Sequence, residues 1–215
     1  LISGSSPDKI TIFEVNIKQK LQDFFQSQIT EHQLVVKRIR SNLEQNFLNV
    51  VDICYKSIKK KKKVIFFGNG GSASDAQHLS TELTVRFSKN RKSIPAISLA
   101  TDTSTLTAIG NDFGFEYLFS RQLEAIGTSG DTVIGISTSG KSKNIIKGLE
   151  YAKNNMMKSV IFTGQNIELV KDITDEIISI PAKNTSRIQE GHILLGQMLC
   201  NALEHKLGLA ELVKE

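Results

Sequence analysis

The sequence predicts an α/β domain: a parallel sheet covered by helices on both faces, led by an N-terminal helical arm. Three observations carry this. Five short apolar runs, Val64–Phe67, Ile94–Leu99, Thr132–Ile136, Ser159–Thr163 and Glu176–Ile180, have the length of strands and the continuous apolar character of strands buried on both faces. Segments with helical spacing alternate with them. The chain has 215 residues, 40% of them hydrophobic and 23% charged, which is the profile of a globular protein able to build a sizeable core without disulfides or metal.

Taken in order, residues 1–9 (LISGSSPDK) form a Ser- and Gly-containing leader, and residues 10–215 read as a single domain. The leader lacks the basic stretch and apolar run of a secretory signal. From Ile10 to Lys60 no glycine or proline interrupts a helical pattern. Phe13, Ile17, Leu21, Phe24 and Phe25 mark one apolar stripe, and Leu43, Phe47, Val50, Val51, Cys54 and Ile58 mark a second. Two long helices are expected, one of them packing against something beyond its own domain. Helices are then expected over Asp75–Phe87, Phe119–Ile126, Asn144–Asn154 and Ser186–Leu207. Strand-helix alternation of this kind implies crossover connections and a parallel sheet, with ligands bound at the carboxyl ends of the strands.

The net charge is +5, and the five lysines Lys59–Lys63 account for all of it. With no aromatic residues interleaved and a strand following at once, the run reads as a solvated helix end complementing the helix dipole, not as a nucleic-acid site. No apolar stretch reaches the ~18 residues of a membrane span. Cys54 and Cys200 lie on separate apolar stretches and read as buried thiols in a reducing compartment; by elimination of a membrane span and a secretory signal, the expected location is the cytoplasm.

Four loops or helix faces carry candidate chemistry. Gly68-Asn-Gly-Gly-Ser-Ala-Ser-Asp75 joins a strand to a helix, and its glycines let backbone N–H groups approach a ligand. It departs from G-x-G-x-x-G at Ala73 and lacks the Lys-Ser/Thr of a P-loop, so a dinucleotide is not indicated. Ser137-Thr-Ser-Gly-Lys-Ser142 places four hydroxyls in six positions before a helix, more than capping requires, and reads as a phosphate site. His78 and Glu82, four residues apart, project from one helix face and suit either two metal ligands or a base held by its neighbour. Near the last helix, Gln189 and His192 can share a face. His192 reads equally as a satisfied interface histidine, and His32 and His205 read as solvated.

The motifs GNGGSASDAQH-x3-E, AIGNDFGFE, FSRQLEA-x-G, GDTVIGISTSGKSKN and RIQEGH, running in order from about Ile39 to Leu207, closely resemble the sugar isomerase (SIS) fold and, more narrowly, the phosphoheptose isomerases. That resemblance implies a three-layer αβα sandwich with a five-stranded parallel sheet, assembled as a homotetramer with active sites at subunit interfaces. It implies conversion of sedoheptulose 7-phosphate to D-glycero-D-manno-heptose 7-phosphate through an enediolate. Residue by residue, it places the phosphate on Ser137, Thr138, Ser139 and Ser142. The sugar hydroxyls fall near Asn69, Gly70, Gly71, Asn111, Asp112 and Gln189. His78, Glu82 and Gln189 match zinc ligands, and Glu82 matches the residue that moves the proton.

The chain departs from the family where a histidine eight residues after the glutamine acts as zinc ligand and acid/base: that position is Gln197. An amide offers a weak oxygen ligand and exchanges no proton near neutral pH. His192 lies ~140° away around the helix at ~100° per residue and is no substitute. Ser186 stands where the isomerases often carry an aspartate. Gln197 opens the alternative of a non-catalytic SIS scaffold that binds a protein partner such as a replication initiator, with or without a phosphosugar. The intact set of His78, Glu82 and Gln189 favours the enzyme.

Overall fold

The computed structural model describes residues 9–210. Two helices open it, α1 (Lys9–Asn42) and α2 (Glu44–Lys59), separated only at Leu43. The sheet-forming part follows: β1 (Val64–Gly68), α3 (Gly71–Thr84), β2 (Ala96–Ser98), α4 (Thr103–Asp112), a 3-10 turn (Phe115–Tyr117), α5 (Leu118–Ile126), β3 (Thr132–Ser137), α6 (Lys143–Asn154), β4 (Lys158–Thr163), β5 (Glu176–Ser179) and α7 (Thr185–Lys206). Lys9 already belongs to α1, and the rest of the expected leader lies outside the described residues.

All five strands are parallel, in the order β2-β1-β3-β4-β5. Side chains alternate across each strand. Val64 and Phe66 of β1, with Ile134, Val160 and Phe162, face a layer built from α1, α2, α3 and α7. Ile65 and Phe67, with Val133 and Ile161, face α4, α5 and α6. Phe67 stacks on Phe119 at 5.0 Å between centroids, and Gly135 on β3 leaves the room that Phe67 and Ile145 fill. This is the expected three-layer arrangement. Because the chain steps outward from β1 to β2 and then returns to β3, the loops after β1 and β3 diverge from a switch point, where a crevice opens at the strand ends.

Three elements differ from expectation. α4 was not foreseen: Ile109 alone of its residues is buried, so its apolar signal is diluted. Its start is set instead by Asp102, whose carboxylate accepts the Thr105 N–H (3.1 Å) and hydroxyl (2.6 Å). β2 is shorter than Ile94–Leu99 because Pro95 has no N–H and Ile94 gives its own to Leu83 at the end of α3. α3 ends at Thr84, short of Phe87, because the Phe87 N–H is taken by the Glu204 carboxylate (2.8 Å). Cys54 and Cys200 are buried, as expected. Among the described residues no helix is long and apolar enough to cross a membrane.

Candidate active site

The loop after β1 enters α3 directly. Gly70 adopts φ +54°, a left-handed conformation that glycine tolerates best, and a Cβ at Gly68 would strike the Ser72 carbonyl at 2.5 Å. No side chain caps α3; the Ser72, Ala73 and Ser74 N–H groups donate to the Asn69 and Gly70 carbonyls, which leaves the Gly71 N–H at the loop for an anion or a developing oxyanion. Asn69 faces across the switch point and exchanges two hydrogen bonds with Asn144 at the start of α6: its Nδ2 donates to Asn144 Oδ1 (2.9 Å) and its Oδ1 accepts from Asn144 Nδ2 (2.8 Å). Beside this loop lies a cavity of about 490 Å³, bounded by Asn69 and Gly70 on one side and Gly110 and Phe115 on the other.

Beyond β3 the hydroxyl-rich loop turns at Gly140, φ +63°, where a Cβ would meet the Asn166 carbonyl at 2.2 Å. Ser142 stands at the N-cap position of α6 yet makes no capping bond; its Oγ lies 3.3 Å from that of Ser137, which donates to it. Ser139 Oγ accepts the Lys141 N–H (3.2 Å), and the Thr138 carbonyl accepts from Gly164 (3.2 Å). The α6 N-terminus therefore offers dipole, N–H groups and hydroxyls together, which is the chemistry of a phosphate site.

The third part is where α3 packs on α7. His78 and Glu82 do share a face: Nε2 and Oε1 are 3.4 Å apart. Gln197 of α7 places its amide 2.5 Å from His78 Nε2. A Cβ at Gly71 would come within 2.4 Å of the Gln189 amide, so that glycine is what admits Gln189 to the start of α3. A further carboxylate, Asp75, stands one turn before His78; burial pushes its pKa up, against the pull of His78, and its Oδ2 has no partner.

The structure thus brings His78, Glu82 and Gln197 together, seats Gln189 on Gly71, and joins the two strand-end loops through Asn69. Asn111 and Asp112 close α4 and bond to each other (Nδ2 to Oδ1, 2.7 Å); they are exposed, and only their neighbour Gly110 lines the cavity. Asn144, which ties the loops together, was read from the sequence only as a helix start. Two histidines depart from expectation. His32 is half-buried, not merely solvated, with Nδ1 2.6 Å from Glu190 Oε2. His192 is fully buried with neither ring nitrogen partnered, and burial lowers its pKa to about 4, so it is a neutral core residue.

Among the described residues no group of three or more His, Cys, Asp or Glu converges as a metal site. The donors that do converge, one imidazole and one carboxylate with amides nearby, fit a loosely held divalent cation: two strong donors fall short of the three that catalytic zinc ordinarily takes from protein.

Comparison with known proteins agrees with this architecture. The SIS domain family matches residues 28–164. The chain is 43% identical over 182 residues to the phosphoheptose isomerase of Nitratiruptor sp., covering 85% of this chain and 97% of that one. It is 46% identical over 181 residues to that of Geotalea daltonii, covering 84% and 94%. The solved structure of the phosphoheptose isomerase from Neisseria gonorrhoeae matches with a TM-score of 0.82 at 34% identity, over 86% of this chain and 99% of that one. With its fold, its strand-end loops and its similarity along most of its length all in agreement, the chain belongs to the phosphoheptose isomerase family of SIS-domain proteins.

Proposed function

We propose that the chain isomerises sedoheptulose 7-phosphate to D-glycero-D-manno-heptose 7-phosphate, with Glu82 as the proton-transferring residue. The observation that carries this reading is the placement of the Glu82 carboxylate on the helix that leaves the glycine loop, beside His78, which Gln197 meets from α7, with the hydroxyl loop across the switch point. In this reading the phosphate is held by Ser137, Thr138, Ser139 and Ser142 and by the first N–H groups of α6. The sugar hydroxyls meet Asn69, Gly70, Gly71, Asn111, Asp112 and Gln189. Anchoring the phosphate supplies orientation remote from the reacting carbons.

Glu82 removes the proton from the carbon beside the carbonyl. The electron pair of the C–H bond becomes the C=C bond of an enediolate, and the carbonyl oxygen takes up negative charge. The Gly71 N–H at the start of α3 and the Gln189 amide stabilise that oxygen. Glu82 then returns the proton to the neighbouring carbon, where the C=C pair forms the new C–H bond; the hydroxyl proton passes to the former carbonyl oxygen and the oxygen it leaves becomes the new carbonyl, so one carboxylate serves both carbon transfers. Were zinc bound, His78 and Glu82 would hold it, with weak support from Gln189 and Gln197, and the chemistry it would supply is Lewis-acid polarisation of the carbonyl.

The reading extends to a cytoplasmic homotetramer in which α1 lies at the interface, supported by the apolar side chains that α1 leaves exposed. Relatives matched along most of the chain carry the isomerase name, which gives the scaffold alternative no support. The test is turnover of sedoheptulose 7-phosphate by the natural chain. Glu82→Gln lowers kcat by ~10²–10⁴ while the phosphate still binds. A natural chain with no turnover, or a Glu82→Gln variant as fast as it, would overturn the proposal.

A further inference from the structure

The carboxylate of Glu82 has few tethers of its own; its one close polar neighbour on α3 is His78, at 3.4 Å. Its direction is therefore set by the backbone of the last turn of α3. That turn should leave carbonyls without helical donors. Here the Arg91 side chain reaches two of them, Leu83 also accepting the Ile94 N–H. Arg91 Nη2 donates to the Glu82 carbonyl (2.8 Å), and Nη1 donates to the carbonyls of Leu83 (2.7 Å) and Lys92 (3.2 Å). The cation also sits at the negative end of the helix dipole.

Arg91 is in turn held by α7. Its Nε donates to Glu204 Oε1 at 2.6 Å, with side chains 2% and 0% exposed. Glu204 further accepts the Phe87 N–H (2.8 Å) and the Ser88 hydroxyl (3.1 Å). Burial raises the Glu204 carboxyl, but these donors outweigh it and keep the group ionised. A buried ion pair is a poor device for stability alone, because desolvation consumes much of its attraction. The apolar contact of Leu79 with Gly196 already packs α3 on α7. What the pair adds is direction. α7 carries Gln197 against His78 and, seven residues or two turns later, Glu204 acting through Arg91 on Glu82.

We infer that Arg91 and Glu204 are positioning residues for Glu82, fixing the last turn of α3 relative to α7 so that the carboxylate meets the substrate carbon. The inference rests on the reading of Glu82 as the proton-transferring residue. A displacement of ~1 Å in such a group lowers turnover by ~10²-fold without removing the substrate contacts.

Arg91→Lys keeps the charge and its attraction to Glu204 but loses the fork that spans two carbonyls. The expected result is a kcat lowered about 10- to 100-fold, with KM for sedoheptulose 7-phosphate within threefold and the thermal midpoint nearly unchanged. Glu204→Gln moves kcat in the same direction, and the double variant is no slower than the slower single one, since both act through one contact. Hydrogen exchange gives a readout that needs no turnover: residues 80–88 exchange faster in Arg91→Lys while residues 71–78 do not. An unchanged kcat with unchanged exchange overturns the inference, as does a parallel loss of kcat, KM and thermal stability, which marks a merely structural pair. If the natural chain turns over no sedoheptulose 7-phosphate, the proposed function fails. The exchange comparison then decides the positioning claim by itself, and a lack of local difference overturns it.

Discussion

At position 197 an amide meets an imidazole where the resemblance implies a second imidazole, and one substitution tests what that difference does. Gln197→His would bring two imidazoles and the Glu82 carboxylate into one site, the three strong donors of a catalytic zinc centre. The expected outcome is zinc affinity at least ~10-fold above that of the natural chain, read by competition with a chromophoric chelator. Equal affinities would mean that the three side chains do not share an ion. The residue scale is also where sequence reading had its sharpest reach and its clearest limit. His78 and Glu82 were legible because four-residue spacing fixes their shared face. The Gln197 contact spans 119 residues, and no local period encodes it; resemblance alone pointed to it. Asn144, Arg91 and Glu204 escaped for the same reason, since each is defined by a partner far away in the chain.

At the scale of elements, β1, β3 and β4 were legible because their two buried faces leave an unbroken apolar run, whereas α4 was obscured by its exposure. The junction between the lysine run and the sheet shows how an element is pinned in place. Asp131, just before β3, is 1% exposed and accepts from the Lys63 N–H (3.0 Å), Lys63 Nζ (2.7 Å), the Thr128 N–H (2.8 Å) and the Thr128 hydroxyl (3.1 Å). Burial pushes its carboxyl upward, but these donors prevail and hold it below the usual carboxylate range. A pKa depressed by folding contributes stability that is complete above the unfolded value of ~3.9 and is lost as pH falls through the folded one. Asp131→Asn should therefore cost ~2–3 kcal/mol at neutral pH. Urea unfolding should show this gap constant from pH 8 down to about 5 and closing below about 4. A gap independent of pH would mean that packing, not charge, pins β3.

For the whole molecule, the question is what the first half of α1 is for. Its later turns are anchored to α7: Arg187 donates to the Gln28 carbonyl (2.9 Å), His32 meets Glu190, and Val35 and Ile39 enter the core. Upstream, Leu21, Phe24 and Phe25, spaced as one helical face, are about 60% exposed. Two phenylalanines and a leucine in water are an unfavourable surface unless another subunit covers them. In the proposed tetramer they do so, and because α1 is fastened to the helix that carries Gln189 and Gln197, assembly and site geometry are linked. Phe24→Asp with Phe25→Asp should then reduce the mass found by light scattering from four subunits to fewer. Helicity should stay nearly intact, because the packed half of α1 is untouched, and turnover should fall with the mass. A natural chain that is monomeric at micromolar concentration would remove the interface from the proposal, and a variant that stays tetrameric would move it to another face.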